Sequence, residues 1–473
     1  MSRSRIGRST VIGSGPNGLA AAVELARQGM PVQVLEACET IGGGTRSGEM
    51  TLPGFVHDIC SGVHPLAVAS PFFSTLPLAA HGLEWIQPPA SLAHPLDDGT
   101  AVTLEHSIEE TCENLGRDAA AYRDLMTPLV NDWQYLISDL LGPLRVPRHP
   151  LTYAKFGLRA MLSARTLAMG HFRDERARAL FAGNAAHSML SLDQLFSASF
   201  GLVLGAAGHA AGWAIARGGS QKLANALGSY LRSIGGEIVT SSPVDSVEGL
   251  LDPHSAVLCD LTPRGVLRIA AARLPRRYCR KLERFRYDVG AFKIDWALNS
   301  PIPWKATACS RAATLHLGGT LEKIADSENA ASTGQHAEKP FVILSQPSLF
   351  DNSRAPHGKH TAWGYCHVPA GSTFDMTERI ENQIERFAPG FRDCIIGRKV
   401  SPPVELERYN ANLVGGNING GSQDVRQLFL RPTISLYSTP ARGLYICSAS
   451  TPPGGGVHGM CGYFAARRVL REC

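Results

Sequence analysis

The run STVIGSGPNGLAAA, residues 9–22, decides how the rest of the chain is read. Its first five residues are a short β-rich stretch that flows directly into Gly13, Ser14, Gly15, Pro16, Asn17 and Gly18. Leu19, Ala22, Val23 and Ala26 then recur at helical spacing until Gly29 stops them. VQVLE, residues 32–36, predicts a second strand and ends in Glu36, 18 residues beyond Gly18. Strand, glycine turn, helix, strand and acid together are a dinucleotide-binding fingerprint. Gly13 permits the tight turn, Gly15 lets the backbone approach a pyrophosphate, and Gly18 lets the helix pack closely on the strand. The helix start adds unpaired N–H groups facing the phosphates, and Glu36, followed by Ala37, would meet a ribose.

The next segment, ETIGGGTRSGEM at residues 39–50, brings a second glycine cluster that ends in Arg46. It resembles the extension of flavin-binding proteins with two dinucleotide-binding domains. That resemblance implies FAD, with Gly42, Gly43, Gly44, Thr45 and Arg46 near the pyrophosphate or flavin. Disulfide reductases share the first unit but carry a redox cysteine soon after the corresponding glycines. Arg46 stands here instead, which disfavours thiol–disulfide chemistry.

GGGVHG, residues 454–459, formally repeats the first pattern, yet only 14 residues follow it. A complete unit needs a helix, a strand and an acid roughly 20 residues on. The segment therefore serves the amino-terminal site. GLYIC at 443–447 reads as a buried strand, TPPGGG as a turn, and the remainder as a closing helix. Gly455, Gly456 and Val457 would place bare backbone and a helix start against a flat ligand. His458 is the candidate to accept the proton that accompanies hydride removal, since imidazole titrates near neutrality; packing at the helix start is the competing role.

Taken together, the sequence is similar to the phytoene-desaturase-like flavoproteins, a group that includes carotenoid isomerases and is related to amine oxidases. The resemblance rests on VIGSGPNGLAAA with Glu36, IGGGTRS, GGSQKLANAL at 218–227, GGEIVTSSPV at 235–244 and GLYICSASTPPGGGVHGMCGY. It implies an α/β fold in which a Rossmann-like FAD-binding domain, residues 1–75, 217–292 and 431–473, is interleaved with an α+β substrate domain, residues 76–216 and 293–430. It also implies FAD and a backbone contact to adenine at Val244. Many relatives insert a three-stranded meander before the strand at 256–263, and the short linker EGLLDPHS leaves no room for one.

Composition agrees with a globular chain: 44% of the 473 residues are hydrophobic and 18% charged. A net charge of +5 without a dense basic run argues against nucleic acid as a partner. Eleven scattered cysteines without a C-x-x-C pair fit free thiols in the cytoplasm. The apolar stretch at 197–216 carries Gly201, Gly205, Gly208 and Gly212 on one helical face. A tightly packed core helix is favoured over the wall of a substrate tunnel and over a membrane span. Residues 152–173 mix apolar side chains with Lys155, Arg159, Arg165 and Arg173, which suits a solvated helix or a face resting on an anionic membrane. His357, His360 and His367 have metal-like spacing, but Pro356 and Gly358 indicate a loop, and no metal is expected.

The expected function is an FAD-dependent dehydrogenase or desaturase that removes hydride from a C–C or C–N bond of an apolar or amphipathic small molecule. A redox-neutral double-bond isomerase and a non-catalytic, FAD-stabilised interaction protein are the alternatives.

Overall fold

The computed structural model describes residues 7–147 and 149–472. Two sheets organise them. The first is five-stranded and parallel, in the order Leu444–Ile446, Ser255–Cys259, Arg8–Ile12, Val32–Leu35, Glu237–Val239. Its central strands are buried on both faces, as continuous apolar runs predict for a parallel sheet. Val11, Ala256, Leu258 and Tyr445 point to one core, shared with the helices Pro16–Arg27, Gln221–Ser233 and Met460–Glu472. Ile12, Val257, Cys259, Leu444 and Ile446 point to the other, under Pro263–Ala270 and Arg276–Glu283.

The second sheet has seven strands, in the order Ile395–Ser401, Val289–Leu298, His360–Pro369, Val342–Ser345, Thr314–Leu317, Ala90–Pro95, Ala101–Glu105. All its pairings are antiparallel except that between Thr314–Leu317 and Ala90–Pro95. The period of two decides its role. Leu315, Leu317, Leu344 and Cys366 pack under the helix Thr377–Phe387, while Thr314, Ile343, Trp363 and Tyr365 face a cavity on the opposite side. The strand Val289–Leu298 pairs in this sheet from its first residue, so residues 289–292 lie there and not with the parallel sheet.

No strand interrupts residues 247–254, in keeping with the missing meander. The glycine-rich helix runs only over Ser197–Ala210. Its glycines are packing sites: a Cβ on Gly201 would fall 2.8 Å from the Phe181 ring, one on Gly205 2.9 Å from Met126, and one on Gly208 2.4 Å from Leu104. The adjacent face presents Phe200 and Leu204 to the cavity, so the helix serves both core and wall. Among the described residues no helix is long and apolar enough to cross a membrane.

A buried ion triad fastens the sheets together. Arg354, fully buried, bonds Asp58 at 2.9 Å and Asp351 at 3.0 Å. Asp58 also accepts from the Ser220 amide and the Ser47 hydroxyl, and Asp351 from the Gly218 amide. The start of the GGSQKLANAL segment is thereby pinned between both halves.

Candidate functional site

The two glycine turns from opposite ends of the chain border one cavity of about 590 Å³, within the range of ligand and cofactor sites. Gly13, at φ +96°, turns the chain out of the first strand. Gly18 is set back from the cavity; a Cβ there would lie 2.1 Å from the Gly13 carbonyl oxygen, which accounts for the close strand–helix approach. Gly13, Ser14, Gly15, Pro16 and Asn17 all line the wall.

Glu36 holds this turn in shape. Its carboxylate accepts from the Ser14 amide and hydroxyl, from the Cys38 amide at 2.9 Å and from Arg46 at 3.2 Å. Four bonds fill the acceptor capacity of a carboxylate. Arg46 carries the link to the second glycine cluster, donates to the Thr40 carbonyl and lies 5.5 Å above the Tyr409 ring. A Cβ on Gly43 would sit 3.1 Å from the Gly15 Cα, so the clusters touch. Ala37, Gly43, Gly44, Thr45 and Arg46 line the same wall, and Val244 lines it beside the carboxyl end of the second strand. Gly42 does not line it.

The tail completes the enclosure. Gly462 packs so tightly on the first helix that a Cβ would lie 1.8 Å from the Asn17 carbonyl oxygen. Gly455, Gly456 and Val457 line the cavity, and a Cβ on Gly455 would meet Asn419 at 2.8 Å. His458 stands behind them: it is fully buried, its Nδ1 accepts the Met460 N–H at 3.0 Å, and burial pushes its pKa down to about 4. That geometry is helix capping, and it keeps the imidazole neutral and off the cavity wall.

Several wall residues escape a reading of the sequence. Asp260, buried after the strand Ser255–Cys259, accepts the Gly18 N–H at 2.9 Å, and burial raises its carboxyl to about 7. The Gly-rich loop at 410–421, a stretch without a recognisable motif, supplies Asn410, Asn412, Asn419 and Gly420. Asn412 bonds the Asp260 carbonyl and the Thr262 amide, so this loop clamps the end of that strand. The wall also carries apolar and aromatic residues: Leu66, which packs against Gly456, and Phe200, Leu204, Trp213, Ile343, Trp363 and Tyr365. His187 and His64 are the imidazoles on this wall: His187 is 2.9 Å from His316 and lowered to about 3 by burial and the neighbouring His367, and His64, bonded to the Ser220 hydroxyl, is lowered to about 4 by burial. The charged wall residues, Glu36, Arg46, Asp245, Asp260, Arg268 and Arg408, lie in or beside the segments that form the nucleotide half.

The three histidines at 357–367 do not converge. His360 and His367 lie on one strand, His367 bonded to Glu328 at 2.7 Å and His360 near Ser348, with His357 in the preceding turn.

The same architecture recurs in known proteins. A family model described as an NAD(P)-binding Rossmann-like domain matches residues 11–71. The chain is 26% identical over 552 residues to the pyridine nucleotide-disulfide oxidoreductase domain-containing protein 2 of Rattus norvegicus, covering 98% of this chain and 93% of the relative. It is 24% identical over 526 residues to one subunit of limonene dehydrogenase from Castellaniella defragrans, covering 98% and 94%. An oxidoreductase structure from Methanosarcina mazei superposes with a TM-score of 0.66 at 16% identity over 98% of this chain and all of that one. The chain shares the fold of that structure. The matches span both sheets, so the resemblance extends well beyond the glycine-rich start.

Proposed function

We propose that this protein is an FAD-dependent oxidoreductase of the phytoene-desaturase-like kind, removing hydride from an apolar or amphipathic small molecule. The observation that carries the reading is a single cavity that is polar and glycine-lined at one end and aromatic at the other. The residues present fit a flavin dinucleotide. Gly15 and Gly43 bring bare backbone to the wall, Asn17 leaves its side-chain oxygen without a partner, and the first helix starts at the cavity. Ser14 has a rotatable hydroxyl on Glu36, the bond a ribose hydroxyl would replace. When bound, FAD supplies the hydride-accepting ring.

The chain's own residues do the rest. The two glycine turns hold the ligand from both sides, and the Val244 segment borders the adenine end. Leu66, Phe200, Leu204, Trp213, Trp363 and Tyr365 would orient the substrate and exclude water. This aromatic end carries no carboxylate among the described wall residues, which favours a C–C bond of a neutral substrate over a cationic amine. His187 and His64 stand on that wall, whereas His458 stands behind it, so an imidazole that contacts substrate is one of these two.

We place the protein in the cytoplasm, its ten described cysteines being free thiols. The helix Pro150–Ala160 supports contact with a membrane from which a lipophilic substrate is drawn: Leu151 and Leu158 are exposed on one face beside Lys155, with exposed Leu144 and Val146 just before them. The test is the visible spectrum of the purified protein, followed by anaerobic screening of lipid and metabolite extracts. Substrate-dependent bleaching is expected. Double-bond isomerisation without net bleaching would indicate the isomerase, and a flavin inert to substrates and to reduced mediators would indicate a scaffold.

A further inference from the structure

Behind the carboxy-terminal glycine turn lies a charge that takes no part in holding the dinucleotide or the substrate. Arg431 is fully buried. Its guanidinium donates to Gln423 Oε1 at 2.9 Å, to the Gly420 carbonyl at 2.9 Å and to the Asn419 carbonyl at 3.3 Å. All three acceptors are neutral, and Nε has no hydrogen-bond partner among the described residues. The carboxylate that acts on it, Asp424, is already paired with Arg286. Burial draws its pKa down to about 10, so it stays a cation at neutral pH.

Burying a cation without a counter-ion is costly, and a neutral side chain of similar length would fill the space more cheaply. The position gives the charge a use. A Cβ on Gly454 would lie 2.9 Å from Arg431 Nη1, so the guanidinium touches the turn directly. Its acceptors Asn419 and Gly420 line the cavity, as do Gly455 and Gly456. One layer of backbone separates the cation from the cavity, and the field of a buried charge is screened less than in bulk water.

We infer that Arg431 is a fixed positive charge that favours the reduced, anionic form of the flavin bound in this cavity. Two electrons and one proton entering the neutral isoalloxazine leave one net negative charge on the ring, and a cation behind the turn stabilises that product more than the oxidised form. The inference rests on the cavity being a flavin site. Arg431 acts through the turn and touches no substrate, which makes it a positioning and electrostatic residue.

The midpoint potential of the bound flavin, measured by dye equilibration, tests it. Arg431→Met should shift the oxidised-to-reduced equilibrium at least tenfold toward oxidised, which for a two-electron couple is a fall of ~30 mV. Arg431→Lys, which keeps the charge, should shift it less than threefold. Sulfite, whose flavin adduct is also anionic, should bind the Met variant at least tenfold more weakly. Gln423→Glu provides a second route that leaves Arg431 in place: a carboxylate against the guanidinium should lower the potential in the same direction, even where the Met variant fails to fold. Equal shifts in the Lys and Met variants would assign Arg431 a purely structural role. Unchanged potential and sulfite affinity in flavin-loaded Met or Gln423→Glu protein would overturn the inference alone. A wild-type protein that retains no flavin would remove the reading beneath it.

Discussion

Asp260 makes the stability of the glycine turn depend on pH. Its carboxyl is raised to about 7 by burial, well above the usual carboxylate range. A carboxyl raised on folding is stabilising when protonated, and that contribution is lost as pH rises from about 4 through about 7. Asp260→Asn, which can still accept the Gly18 N–H, should therefore melt higher than wild type at pH 8 and show little advantage at pH 4.5; differential scanning calorimetry across that range checks the sign. Gly15→Val should abolish flavin retention, because even its Cβ would fall 2.6 Å from the Asp260 carboxylate and the branches would fill the cradle. A yellow, stoichiometrically loaded Gly15→Val protein would contradict the placement. His458→Ala should weaken the closing helix by about 1 kcal/mol through loss of its cap. Any imidazole role in the chamber should instead follow His187→Ala or His64→Ala, measured by the pH profile of substrate-dependent bleaching.

At the level of elements, the first helix and the last depend on each other. Gly462→Ala would drive a methyl group into the Asn17 carbonyl, an overpacking that costs about 1–3 kcal/mol, seen as a lower thermal midpoint. The triad of Arg354, Asp58 and Asp351 is the stronger tie. Burial alone would raise the Asp58 carboxyl, but Arg354 together with the Ser220 amide and the Ser47 hydroxyl outweighs it and holds the group below its ordinary range. Arg354→Met leaves two buried carboxylates uncompensated, and a loss of about 3–5 kcal/mol in denaturant unfolding is expected. The elements legible in the sequence were those with local signals. The turn at residues 13–18 and the strand ending at Glu36 are written in consecutive residues. Asp260 was not legible as a wall residue, because its place depends on the parallel register of Ser255–Cys259 against Arg8–Ile12, strands nearly 250 residues apart in the chain. The strand Val289–Leu298 alternates as a half-exposed strand does, yet it is buried throughout, with Lys293 and Asp295 paired on its polar face. Likewise His458 lies close to the turn that the sequence assigns to the ligand, but its bond from the Met460 N–H holds it behind the wall.

The whole molecule divides its labour between a parallel sheet that frames one end of the cavity and an antiparallel sheet that floors the other. In the proposed function the exposed side chains of Leu144, Val146, Leu151 and Leu158 are the membrane contact. Leu151→Ser combined with Leu158→Ser should reduce co-sedimentation with anionic vesicles severalfold while leaving flavin content unchanged; full retention on vesicles would remove that face from consideration. The aromatic end was foreseen only as an apolar half. The stretch at 197–216, which carries Trp213, admits a tunnel wall as one reading, whereas Leu66, Ile343 and Trp363 come from separated stretches that each read as ordinary core in isolation. The glycine segments drew notice because their spacing has no comparable use in plain packing.

Because the helix Met460–Glu472 seals against the first one, the motif at residues 9–22 stays incomplete until that helix has been made. A ribosome would have to release everything between them before Gly462 could settle onto Asn17 and close the vessel. Colour should thus mark finished molecules only: chains terminated ahead of residue 460 would emerge pale, and prosthetic-group capture would be a late event of maturation.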